Sequence, residues 1–117
     1  MFKEYTGFKK IYIACGYTDL RYGVDGFAAI IKHQYQLDPF DKGTLFLFCG
    51  RKSDRIKGLL WEGDGFLLLY KRLVDGRYQW PRSVEDMKQM SQEQFYRLMS
   101  GFSIDSSIKE AYPRYIV

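Results

Sequence analysis

The residues of this chain best suited to chemistry lie in segment 51–82. Its bases are Arg51, Lys52, Arg55, Lys57, Lys71, Arg72, Arg77 and Arg82, against the acids Asp54, Glu62, Asp64 and Asp75. Eight against four leaves +4, which is the formal net charge of the whole chain, so the imbalance is local. Trp61, Phe66, Tyr70, Tyr78 and Trp80 are interleaved with these bases. Positive charge mixed with aromatic rings suits a polyanion, nucleic acid first.

Other chemistries fit less well. Two-metal phosphoryl transfer needs carboxylates converging on one point, and Asp19, Asp25, Asp54 and Asp64 are the candidates. Asp64 reads as a turn residue. Asp54 sits among Arg and Lys, where a local salt link suffices. Asp19 and Asp25 flank a helix start, where acids cap and favour the dipole. Cys15, Cys49 and the lone His33 cannot make a tetrahedral zinc site without carboxylates, so no metal or other cofactor is expected. Each cysteine lies in an apolar run and reads as a small buried hydrophobe. Gly63-x-Gly65 is followed by no Lys-Ser/Thr and leads into a strand, so it is not a phosphate loop. No catalytic residue is assigned.

The elements that position the basic residues can be read from periodicity. Lys10–Gly16 reads as a strand. Val24, Phe27, Ala28, Ile31 and Tyr35 form one stripe of an amphipathic helix. Gly23 and Gly26 each weaken its start by about 1 kcal/mol relative to Ala, unless a glycine there permits close packing against a strand. After the loop Asp38–Gly43 come strands at Thr44–Cys49, Arg55–Glu62, Phe66–Val74 and Arg77–Trp80. Asp64-Gly65 and Asp75-Gly76 are hairpin signals, because a type I′ turn needs positive φ. The expected fold is therefore α+β: an antiparallel four- to five-stranded meander, with one main helix before it and one after it. The second helix has an N-cap at Ser91, Gln94 completing a capping box, and a Met90/Phe95 staple. Its expected apolar face is Phe95, Leu98, Met99 and Phe102, with Gly101 at its end. A single domain is expected over 1–104, with a tail over 105–117 that is mobile or docks on a partner.

The two hairpins gather Arg51, Lys52, Arg55, Lys57, Lys71, Arg72 and Arg77 near one end of the sheet, with Arg82 leaving that end. Alternation puts Arg55, Lys57, Leu59, Trp61, Phe66, Leu68, Tyr70, Arg72, Arg77 and Gln79 on one face. The other face, from Ile56 through Leu60, Leu67 and Leu69 to Tyr78 and Trp80, is mainly aliphatic and is where the helices are expected. The first face reads as an anion platform, its bases on phosphates and Trp61 or Tyr70 stacking on a base. On geometry alone the favoured reading is a solvated face whose aromatics make core or dimer contacts, since charged strand ends are common.

The 117 residues, with 18% aromatic and 27% charged, describe a globular chain. A chain of this size buries roughly two-thirds of its unfolded surface. The N-terminus lacks a long apolar run and no segment is long enough to cross a bilayer, so a cytoplasmic protein is expected.

Two blocks carry a family resemblance. One is Ile11-Tyr12-Ile13-Ala14-Cys15-Gly16, Thr18-Asp19-Leu20-Arg21 and Gly23-Val24-Asp25-Gly26. The other is Asp54-Arg55-Ile56-Lys57, Trp61-Glu62-Gly63-Asp64-Gly65-Phe66, Tyr70-Lys71-Arg72-Leu73 and Trp80-Pro81. Over roughly residues 10–104 the chain resembles the TnpB accessory proteins, encoded by the second open reading frame of the IS-sixty-six family of bacterial insertion sequences. The name TnpB is shared with large RNA-guided nucleases, which this chain does not resemble. Leu20 stands where Met is common, Glu62 where Asp is common, and the tail after Ser103 is distinctive. The resemblance implies a small, non-catalytic protein that assists transposition beside a separate transposase. It brings no catalytic residues to carry over. The family's recurrent charged positions fall on Asp19, Arg21, Asp25, Asp54, Arg55, Lys57, Lys71 and Arg72. The implied partners are DNA, at element ends or without sequence preference, and the transposase of the same element. A homodimer through an exposed edge strand is also open. The alternative is a protein-only assembly adaptor or dimeric scaffold without direct DNA contact; a metal-dependent nuclease ranks below both.

Overall fold

Alternation, glycine turns and one unbroken apolar run shape the sheet in the computed structural model, which describes residues 7–104. Five strands are present: β1 (Lys10–Ala14), β2 (Thr44–Cys49), β3 (Arg55–Trp61), β4 (Phe66–Arg72) and β5 (Met87–Met90). Their order across the sheet is β4-β3-β2-β1-β5. β2, β3 and β4 form the expected antiparallel hairpins. The sheet as a whole is mixed, because β1 lies parallel to β2, with Lys10 opposite Thr44 and Ile13 opposite Leu47. The helix between β1 and β2 makes that crossover, as a parallel pair requires.

The turn between β3 and β4 uses Gly63 and Asp64, not Asp64 and Gly65. Gly63 has φ +101° and the Glu62 N–H donates to the Gly65 carbonyl at 2.9 Å. Glycine at the first central position is the II′ pattern. The pairing moves by two residues, not one, so the faces of β3 and β4 stay as expected: Trp61 opposes Phe66, Lys57 opposes Tyr70 and Arg55 opposes Arg72.

Arg77–Trp80 is not a strand. Gly76 turns the chain with φ +84°, but both sides of that turn are tied to one loop. The Leu73 N–H donates to Asp54 O and the Tyr78 N–H to Ser53 O, each at 2.7 Å. The chain then crosses one end of the sheet. Tyr78 and Trp80 enter the core, and the Trp80 indole N–H donates to Ala14 O at 2.9 Å. The sequence alternates here because alternate residues of an extended crossover are buried, which imitates a strand. β5, which the sequence reading did not foresee, then pairs antiparallel with β1 at the far edge.

The helices cover both faces instead of the aliphatic face alone. Helix α1 (Val24–Ala29) runs on as a π-helical segment, Ile30–Gln34. Phe27 and Ile31 of its stripe are buried against Phe46, Phe48 and Leu59, with Phe66 and Leu68 beside them. Helix α2 (Gln92–Met99) packs Phe95, Leu98 and Met99 on the other face, with Ile13, Leu45, Leu47 and Ile56. The reason lies in β2. All of Thr44–Cys49 is buried, and a run of Leu and Phe without alternation must be covered on both sides.

Local signals account for the helix ends. Gly26 leaves room for Tyr22 instead of a strand: a Cβ there would lie 2.6 Å from the Tyr22 ring. Gln36 takes φ +53° and the Leu37 N–H reaches Ile31 O, closing the first helix by a left-handed cap. The capping box at Ser91 and Gln94 forms as expected. Phe102 lies beyond the helix end and is exposed, contrary to the expected apolar face. The expected tail, 105–117, lies outside the described residues. No helix among the described residues is long and apolar enough to cross a membrane.

Candidate nucleic-acid interface

Strand directions decide which loops meet. β1, β2 and β4 end, and β3 and β5 begin, at the same end of the sheet. Loops 15–23, 50–54 and 73–86 therefore converge there. They bring Arg21, Arg51, Lys52, Arg55, Arg72, Arg77 and Arg82 to that end, with Lys57 one step down β3. Asp19, Asp54, Asp75, Glu85 and Asp86 share it, the last two on the β5 side.

Arg51 sits at the centre. Its guanidinium lies 4.4 Å from the centroid of the Tyr17 ring, and its Nη2 donates to the Tyr17 hydroxyl at 2.8 Å. It walls two neighbouring hollows. One, about 380 Å³, is lined by Tyr17, Thr18, Asp19, Arg21 and Gly50 besides Arg51. The other, about 390 Å³, is lined by Lys52, Ser53, Asp54, Gly76 and Arg77.

Arg82 does not leave this end, as the sequence suggested; it organises it. Its Nη1 donates to Gly16 O at 2.6 Å, and its Nη2 to Gly50 O at 2.6 Å and the Ser53 hydroxyl at 2.9 Å. The guanidinium fork thus ties the ends of β1 and β2 to loop 50–54. Because the 77–82 segment crosses the sheet end instead of running down it, Arg82 is kept within reach.

Two of these acids, Asp19 and Asp54, are held by arginines. Asp19 takes a paired contact from Arg21, with Nη2 to Oδ2 at 2.7 Å, and accepts the Arg21 backbone N–H at 2.9 Å. These bonds hold its carboxyl at about 2, below the usual range. The Arg55 side chain holds the Asp54 carboxyl low in the same way, at 2.9 Å. That link also eases the contact between Arg55 and Arg72, like charges directly opposite on paired strands. Among the described residues no three His, Cys, Asp or Glu side chains converge to hold a metal. Burial pushes the Cys49 thiol up to about 11, keeping it protonated and unsuited to nucleophilic attack.

The remaining candidates separate. Lys57 donates to Tyr22 O at 3.3 Å and stands 5.8 Å from the ring centroid of Tyr70, which is half exposed. Lys71 lies on the opposite face of β4, away from Arg55, Lys57 and Arg72. Trp61 is at the other end of the sheet, in an aromatic cluster with Phe40 at 5.0 Å and Phe66 at 4.8 Å. Helix α1 covers much of the face once read as an open platform, so the basic surface is the sheet end and its loops. Sequence reading left Tyr17 and Arg21 out of the site. Nothing in the sequence marks Tyr17, whereas Arg21 belongs to the Thr18–Arg21 block.

Residues 9–109 match the family described as IS66 Orf2 like protein. The chain is 36% identical over 92 residues to the uncharacterized protein y4hO of Sinorhizobium fredii, covering 79% of each chain. It is 30% identical over 92 residues to y4jC of the same organism, covering 79% of this chain and 78% of that one. No solved structure matches it significantly.

Proposed function

The chain belongs to the IS66 Orf2-like family of insertion-sequence accessory proteins, and from that premise we propose that it is a non-catalytic, DNA-binding adaptor in transposition. It works in the cytoplasm beside the transposase of its element. The observation that carries the DNA reading is Arg51, the shared wall of two polar hollows flanked by Lys52, Arg77 and Arg21. Adjacent hollows edged by guanidinium groups suit successive backbone phosphates, which position a duplex without reading its sequence. Titration of the protein into labelled duplex over a salt series tests this. Binding that weakens steeply with salt supports it, and no binding at low salt refutes it.

A second reading, a protein-only adaptor, draws on the opposite end of the sheet. Phe40 is 54% exposed there beside Trp61 and Phe66, and a hollow of about 300 Å³ lined by Phe8, Leu60 and Trp61 adjoins them. An exposed aromatic beside a partly apolar hollow suits contact with another protein. Loss of transposase capture on Phe40→Ala, with duplex binding intact, would favour it. Retained capture would argue against that surface.

A further inference from the structure

β4 forms one margin of the sheet, and among the described residues no strand pairs with its outer edge. Proteins usually blunt such an edge with proline, a bulge, charges or brevity. β5, at the other margin, is four residues long and carries Lys88 and Gln89. β4 is seven residues long and begins Phe66-Leu67-Leu68-Leu69, each only partly buried. Its charges come late, at Lys71 and Arg72, while Glu62 and Asp64 precede it in an exposed turn. The edge is thus acidic before, apolar within and basic after. An antiparallel copy of itself has the complementary order.

A two-fold axis perpendicular to the sheet must pass through a single residue position, so that side chains of one face meet. Centred on Leu69, the pairing would set Arg72 against the partner's Phe66 and Lys71 against the partner's Leu67. Centred on Leu67, the strands would overlap only over 66–68. Centred on Leu68, they overlap over 66–70. Arg72 then faces the partner's Asp64, Tyr70 faces the partner's Phe66, and Leu67 faces the partner's Leu69. Tyr70, 51% exposed in the monomer, gains an aromatic neighbour on its own face. We propose that two copies of this chain join through their β4 edges, antiparallel and centred on Leu68, into one continuous sheet. The dimer does not depend on the nucleic-acid reading.

Sedimentation of the full chain without DNA tests it, at concentrations up to high micromolar. A dimer is expected. Arg72→Asp, which sets like charges opposite at both ends of the pairing, should weaken the dimer by about tenfold or more. Asp64→Arg combined with Arg72→Asp restores the opposite charges and should recover most of that loss. A monomer throughout would overturn the proposal. So would a dimer indifferent to Arg72→Asp, or one that the exchanged pair fails to restore.

Discussion

Arg82 Nη2 donates to the Gly50 carbonyl at 2.6 Å, joining the segment that crosses the sheet end to the loop that carries Arg51 and Lys52. The same side chain holds Gly16 O and the Ser53 hydroxyl. A guanidinium reaches several acceptors at once because its donors form a rigid fork, which an ammonium cannot copy.

Arg82→Ala should therefore cost about 1.5–3 kcal/mol, the range for hydrogen bonds to a charged group. Urea unfolding measures it. Arg82→Lys should recover only part of the loss. Duplex affinity should fall further than removal of one phosphate contact explains, because loop 50–54 loses its anchor.

Asp19 predicts a pH dependence. Its folded carboxyl titrates at about 2, held down by Arg21, whereas an unfolded Asp titrates at about 3.9. The unfolded chain therefore binds this proton first as pH falls. The contribution is full above the unfolded value and is lost between there and about pH 2. Wild type and Asp19→Asn should differ in urea midpoint at pH 6 and converge near pH 2. A constant difference across that range would contradict the assignment.

Tyr78 is buried, and among the described residues its hydroxyl finds no hydrogen-bond partner. Burial pushes its pKa up to about 12. Tyr78→Phe removes an unsatisfied polar group and keeps the ring. It should be neutral or stabilising by up to about 1 kcal/mol in thermal unfolding.

Trp61 separates stability from nucleic-acid contact. It packs with Phe40 and Phe66 at the end of the sheet opposite Arg51. Trp61→Ala should cost about 2 kcal/mol, less than a fully buried Trp, and leave duplex affinity unchanged. A loss of affinity in a folded variant would return Trp61 to the DNA surface.

Much of this was legible in the sequence where the signals are local. The antiparallel run from Thr44 to Arg72, the faces of β3 and β4 and the capping box at Ser91 follow from alternation, one glycine turn and side-chain capping. The hidden features are long-range. Nothing in Lys10–Ala14 says that it pairs in parallel with β2. Met87–Met90 is too short and polar to announce a strand. Tyr78 and Trp80 mimic one while anchoring a crossover. One local signal does point to the covered faces: Leu45-Phe46-Leu47-Phe48 has no polar alternation, so both faces of β2 must be covered. That alone excludes an open aromatic platform over its whole width. The basic cluster survives because it depends on strand ends, which the hairpins determine. Arg82 belongs to it because Arg77–Trp80 is a crossover and not a strand.

The phosphate contacts are tested by the salt dependence of duplex binding in wild type and in an Arg51→Ala, Arg77→Ala double variant. Fluorescence anisotropy on the same labelled duplex gives both. If Arg51 and Arg77 hold phosphates, the variant binds more weakly at every salt concentration. Its slope of log affinity against log salt should be shallower by about two. Identical slopes and affinities would contradict a nucleic-acid interface centred on Arg51.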